Sequence, residues 1–195
     1  MQRFEQTGHL EWVSDFAESP ARHGVTNVNA EVGAAFALMP GSHAFPPFGA
    51  NGLAFDAAGS ALYIANTGDD RILKLDVTAV PPPATALSTF AESVNGADGI
   101  LFDGDGLLWV AANQADEIVA LNASGRVVDR RGSFEGIGTD GAAKGLLFPA
   151  SIVLSRGSLF VTNAALALSP AVGDEPEEDV TTFTLSRIPL DGHGP

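Results

Sequence analysis

Three stretches of the chain repeat one pattern: ANGLAFDAAGSALYIAN from Ala50, ADGILFDGDGLLWVAAN from Ala97 and PASIVLSRGSLFVTN from Pro149. Each reads as an apolar strand, a Gly-containing turn and a second apolar strand rich in aromatic and β-branched residues. Asn51 and Asp98 stand 47 positions apart, and Asp98 and Ala150 stand 52 apart. That period is close to the ~40–45 residues of a four-stranded propeller blade. The fold class expected is therefore all-β, a β-propeller of four-stranded blades, with a plain stack of β-meanders as the alternative.

The first unit continues as RILKLDV (Arg71 to Val77) and TALSTFAES (Thr85 to Ser93), the second as EIVALN (Glu117 to Asn122) and GRVVDRRGSF (Gly125 to Phe134). Both units thus have four strands. GHLEWVSDFAES (Gly8 to Ser19) ends in the same FAES as the strand at Phe90 to Ser93, as an outermost strand would whose inner partners are absent. The last unit ends with TTFTLSRIPL (Thr181 to Leu190), its third strand, and shows no fourth. The organisation expected is a single partial domain over 1–195, with an outer-strand remnant at 8–19, a long loop at 20–47, and blades at 48–93, 94–135 and 146–190. About three blades are too few to close a ring of ~4–8. Either the chain is a section of a longer protein, or its open sheet edges pair with something, self-association included.

Composition narrows the partners. Acidic side chains number 24 against 10 basic ones, for a formal net charge of −14, so a nucleic acid would be repelled over most of the surface. No apolar run approaches the ~18–20 residues that cross a bilayer, and MQRFEQTGHLEW has neither a basic start nor an apolar signal core. The chain reads as soluble, with no membrane partner and its compartment open. The absence of cysteine removes disulfides and thiolate metal sites.

In a propeller the innermost strand of each blade begins beside the central channel. Asn51 and Asp98 head such strands, so an amide and a carboxylate are expected to face one axial space. Asn66, Asn113 and Asn163 end the second strands and are expected to rim the same face. Two insertions, Pro20 to Pro47 and Ala164 to Asp179, fall there too, and loops of such length in a compact domain often carry function. Two oxygen donors, one of them charged, suit a hard divalent cation. Asn-Gly and Asp-Gly are equally the commonest turn pairs, so a purely structural role stays open.

These residues carry a resemblance. FGANGLAFDAAGSALYIANT, GADGILFDGDGLLWVAAN and FPASIVLSRGSLFVTN resemble the last three blades of the senescence-marker-protein/gluconolactonase (regucalcin-like) family of six-bladed propellers, over roughly Phe48 to Asn163. The resemblance implies a divalent metal ion, calcium or zinc, with Asn51 and Asp98 as ligands and Asp98 also as the catalytic base that activates water. It implies a metal-dependent hydrolase acting on a small lactone or related ester; the alternative is a non-catalytic propeller presenting its loop face to a ligand or protein. The family's third ligand, a glutamate from its first blade, has no counterpart here. Glu5, Glu11 and Glu18 lie outside that context and do not inherit the role.

Other candidates carry less. His9, His23, His43 and His193 have no paired ligand spacing, and neither a Gly-x-Ser-x-Gly elbow nor a Walker A loop occurs. FDGDG (Phe102 to Gly106) falls in a hairpin turn and lacks the rest of an EF-hand. GDEPEED (Gly173 to Asp179) reads as a solvated loop. Asn122-Ala123-Ser124 reads as an ordinary turn rather than a glycan acceptor. Tyr63 and Trp109 occupy matching second-strand positions and are expected to pack between blades.

Overall fold

The alternation of apolar and polar residues resolves into antiparallel strands in the computed structural model, which describes residues 2–4, 10–12, 49–79, 82–168 and 175–190. Strands β1 (Gln2–Phe4) and β2 (Leu10–Trp12) pair with each other. The rest of the expected outer strand at Gly8 to Ser19, and the loop Pro20 to Pro47, lie outside the described residues. Strands β3 (Ala50–Phe55), β4 (Ala61–Asn66), β5 (Arg71–Asp76) and β6 (Leu87–Glu92) form a four-stranded meander. A second meander follows from β7 (Ala97–Phe102), β8 (Leu108–Ala112), β9 (Glu117–Leu121) and β10 (Val127–Arg131). A small hairpin of β11 (Phe134–Ile137) and β12 (Ala143–Gly145) leads into a three-stranded sheet of β13 (Pro149–Ser155), β14 (Ser158–Asn163) and β15 (Leu185–Pro189). The sequence carries the fourth strand of the second blade to Phe134. In the structure it stops at Arg131, because Gly132 takes a left-handed φ of 81° that turns the chain into the hairpin.

The repeated Phe-Asp builds the turn at the end of the first two inner strands, β3 and β7. Asp56 Oδ1 accepts from the backbone N–H groups of Ser60 (2.7 Å) and Ala61 (3.1 Å). Asp103 Oδ1 does the same for Asp105 and Leu107, and its Oδ2 accepts the indole N–H of Trp109 at 2.8 Å. FDGDG is thus a self-capped hairpin turn. Asn122 caps the β9–β10 turn likewise, accepting from the N–H groups of Ser124 and Arg126.

The core lies between the sheets. Tyr63, Ala65 and Ile72 of the first blade pack with Ile100, Leu108 and Val110 of the second. Trp109, Ala111 and Ile118 pack with Leu159 and Val161 of the third. Strand pairing sets Tyr63 and Trp109 at one blade position, Tyr63 opposite Ala54 and Trp109 opposite Leu101. Tyr63 meets Phe90 and Phe102 edge-on at 4.9 Å, each contact contributing ~0.5–1.5 kcal/mol beyond burial.

Inner strands of successive blades touch at glycines. A Cβ on Gly52 would overlap the Asp98 carbonyl, and one on Gly99 would overlap that of Ala150. Glycine is required at both positions because the backbones meet there. A second link recurs as well. After β4 and β8 the chain makes a 3-10 turn, Thr67–Asp69 and Asn113–Ala115, closed by a left-handed aspartate, Asp70 (φ 54°) and Asp116 (φ 52°). Asp70 accepts the N–H of Gly96 at 2.7 Å, and Asp116 that of Phe148 at 2.8 Å. Gly96 and Phe148 immediately precede the next inner strand, so each aspartate ties one blade to the next. Among the described residues no helix is long and apolar enough to cross a membrane.

Candidate metal centre at the head of the inner strands

Each inner strand pairs with its neighbour through a register shift just after its first residue, at Ala50/Leu53, Ala97/Ile100 and Pro149/Ile152. Asn51 and Asp98 lie inside these irregularities, where such a bulge re-aims a side chain. The glycine contact from Gly52 to Asp98 sets the two positions on adjoining strands.

Each has one side-chain partner. Asn51 Nδ2 donates to Thr67 Oγ1 at 3.3 Å, while Thr67 donates its own hydroxyl proton to the Ala97 carbonyl at 2.6 Å. With its proton spent, Thr67 must accept, so the Asn51 amide presents its N–H and leaves Oδ1 to face elsewhere. Asn113 Nδ2 donates to Asp98 Oδ2 at 3.3 Å. An ionised carboxylate only accepts, so Asn113 turns its N–H toward it and leaves its own Oδ1 buried without a partner. Burial pushes the Asp98 carboxyl above the usual carboxylate range, with the Asn113 hydrogen bond opposing.

The polar pairing belongs to the first two blades. Thr67, Asn113 and Ala164 hold one position, since their N–H groups bond to the carbonyls of Gly49, Gly96 and Phe148. The side-chain pairs are therefore Asn51 with Thr67, Asp98 with Asn113, and Ala150 with Ala164.

This register differs from the one the sequence implies. Asn66 pairs with Ala50, and the residues in that place in the later blades are Ala112 and Asn163. Asn113 is one step further on, because the second hairpin turn is one residue shorter. The asparagines expected at the rim are all buried. Asn66 Oδ1 has no partner among the described residues. Asn163 is committed within the last blade, donating to Thr184 (2.8 Å) and Ser186 (2.9 Å) and accepting from the Leu147 N–H (3.1 Å). Only Asn113 touches a predicted site residue. Thr67 was not singled out from sequence; the signal was its place after Asn66, four residues before Arg71, matching Asn113 before Glu117.

A hard cation fits the donor chemistry of Asn51 and Asp98, an amide oxygen freed by Thr67 and a carboxylate oxygen left by Asn113. Among the described residues no group of three or more His, Asp or Glu side chains gathers as a metal site.

Four-stranded meanders in series, joined at inner-strand glycines, define a section of a β-propeller. The chain belongs to the SMP-30/gluconolactonase/LRE-like family, whose sequence pattern matches residues 12–132. Among solved structures it is similar to a luciferin-regenerating enzyme, at 22% identity and a TM-score of 0.57 over 74% of this chain and 46% of that one. It is also similar to a gluconolactonase from Xanthomonas campestris (17% identity, TM-score 0.56, 75% and 46% covered). A third likeness is to regucalcin, a calcium-binding protein from Agrobacterium tumefaciens (17% identity, TM-score 0.52, 72% and 45% covered). The chain spans less than half the length of each. No curated protein matches it.

Proposed function

We propose that this chain is part of a metal-dependent hydrolase of the gluconolactonase type, acting on a small lactone or related ester, with Asn51 and Asp98 as ligands to a divalent cation, calcium or zinc. The observation that carries the reading is the matched pair of hydrogen bonds, Asn51 with Thr67 and Asp98 with Asn113, at one position in two adjoining blades. A structural turn needs neither an amide nor a carboxylate held by a buried partner at the same position of two blades. The family membership and the calcium-binding and gluconolactonase neighbours support the same reading.

The ion would supply Lewis acidity at the lactone carbonyl. Asp98 accepts the proton of the attacking water as the new carbon–oxygen bond forms, and returns it to the ring oxygen as the lactone bond breaks, giving a hydroxy acid. Asn113 holds one carboxylate oxygen and keeps the other free. Asn51 would hold the ion through the neutral amide oxygen that Thr67 leaves unbound.

Calorimetric titration of calcium, then zinc, into the protein and into Asp98→Ala tests this. Binding that is lost in the variant, followed by acid release from a sugar lactone in a pH-stat, is the expected result. Equal binding in both proteins, or none in either, removes Asp98 from an ion site and favours a non-catalytic binding module.

A further inference from the structure

The interface between the first and second blades keeps an opening at a position that an indole occupies in the next interface. Tyr63 and Trp109 are equivalent in the strand register, and Asp56 and Asp103 are equivalent at the ends of β3 and β7, each donating its N–H across the turn, to the carbonyls of Ala61 and Leu107. At the second interface Trp109 is fully buried, packs in one cluster with Leu154 and Leu159 of the third blade, and donates its indole N–H to Asp103 Oδ2 at 2.8 Å. At the first interface Tyr63 has one ring in place of two. Asp56 accepts from Ser60 and Ala61, and among the described residues Tyr63 donates no hydrogen bond to it. A cavity of about 220 Å³ lies there, lined by the rings of Tyr63, Phe90 and Phe102 and by Asp56 and Asp103. Gly104 keeps it open, since a Cβ at that lining position would meet nothing within 4 Å. The β9–β10 turn closes onto β6 beside it, where a Cβ on Gly125 would overlap the Phe90 carbonyl.

We propose that this cavity binds a small organic monocation, a primary ammonium on an apolar body the size of an aromatic ring, with the body against Tyr63, Phe90 and Phe102 and the ammonium between Asp56 and Asp103. The precedent is within the chain: the Trp109 indole is an apolar ring whose N–H donates to the aspartate that ends an inner strand. Asp56 Oδ2 accepts from Ser60 Oγ and Asp103 Oδ2 from Trp109, so each oxygen keeps a lone pair for a further donor. Hydrogen bonds from Ala61 and Ser60 hold the Asp56 carboxyl below the usual carboxylate range and keep it charged. Against these two carboxylates stands one ammonium, Lys74, 5.5 Å from the centre of the Tyr63 ring. One negative charge is left over, which suits a monocation and repels an anion. Aromatic walls add the attraction of their ring quadrupoles for a cation. The size agrees as well, because an apolar cavity of ~150 Å³ already holds a benzene ring. Asp56 and Asp103 lie at the opposite ends of β3 and β7 from Asn51 and Asp98, so the site is separate from the ion proposed above.

The test is a titration with benzylammonium chloride, followed by ligand-detected nuclear magnetic resonance with divalent ions removed, beside benzyl alcohol as the uncharged counterpart. Saturable binding of the cation at one site is expected, with the alcohol ~10–100-fold weaker for want of a charge-assisted hydrogen bond. Asp56→Asn keeps an acceptor for the turn and should weaken the cation toward the level of the alcohol. Tyr63→Trp should abolish binding without loss of thermal stability, by filling the cavity as Trp109 fills its counterpart. Circular dichroism verifies both folds, and Asp56→Asn decides alone if Tyr63→Trp does not fold. Absence of saturable benzylammonium binding overturns the proposal. Equal affinity for the alcohol overturns the cationic class, and binding unchanged in the folded variants overturns this cavity as its place.

Discussion

Thr67 and Asn113 hold the same position in successive blades, each the first residue of a 3-10 turn and each hydrogen-bonded to the residue at the head of its own inner strand, Asn51 or Asp98. Thr67→Val removes the acceptor that orients Asn51 and the donor to Ala97. If Asn51 ligates an ion, calcium affinity should fall ~10–100-fold, as for other outer-sphere partners of metal ligands. Thr67→Ser should restore it, and calorimetry on the two variants decides between orientation and general loss of fold.

The aspartates that tie the blades together should matter to stability. Asp70→Ala leaves the Gly96 N–H unpaired, and Asp116→Ala leaves that of Phe148, which sits at a left-handed φ of 46°. Both amides are in buried residues, so each variant should lose ~1–3 kcal/mol. Urea unfolding checks this; wild-type stability in both would show that water replaces the link.

A pH dependence follows at the second of these sites. Burial pushes the Asp116 carboxyl up against its hydrogen bond from Phe148. Burial, and then the charges of Asp116 and Glu175, push Glu177 up. A folded pKa above the unfolded one means that the folded state holds its proton more tightly. The contribution is then largest below the unfolded pKa and is lost as pH rises through the folded value. Asp116→Asn with Glu177→Gln should gain stability relative to wild type between about pH 4 and pH 7, measured as the difference in urea midpoint.

Glycine at the blade contacts is tested by a pair of alanines. Gly52→Ala drives a methyl into the Asp98 carbonyl and should cost ~1–3 kcal/mol through overpacking. Gly49→Ala meets nothing within 4 Å and should change stability little. Similar thermal shifts in both would remove close approach as the reason for Gly52.

Asp103→Ala deletes the acceptor for two backbone N–H groups and for the Trp109 indole, whose side chain is fully buried. The unpaired indole N–H adds to the loss of the turn, so ~1–3 kcal/mol is expected. Asp103→Asn keeps an acceptor and should recover part of it in the same unfolding measurement.

Much of this protein is legible in its residues because a repeat is a covalent fact. The apolar alternation, the aspartates closing the inner strands, and the exchange of Asn51 for Asp98 in one frame all survive as written. They fix strand identity, turn position and the equivalence of the two inner-strand heads. Other relationships depended on the ladder. Equal-length segments align Asn66 with Asn113, yet pairing shifts the second blade by one residue and matches Asn113 to Thr67. A turn absorbs one residue without any mark in composition, and only the hydrogen bonds of the sheet count it. Asn163 reads like a rim residue beside Asn113. It is buried because Thr184 and Ser186, 21 and 23 residues further on, come to its amide through the return of β15. The links from Asp70 to Gly96 and from Asp116 to Phe148 span 26 and 32 residues and have no local signature. Local pattern determined what each segment is, because side-chain period and turn chemistry act over a few residues. Tertiary structure decided which polar groups meet, because that is set by where separate blades bring their backbones into contact.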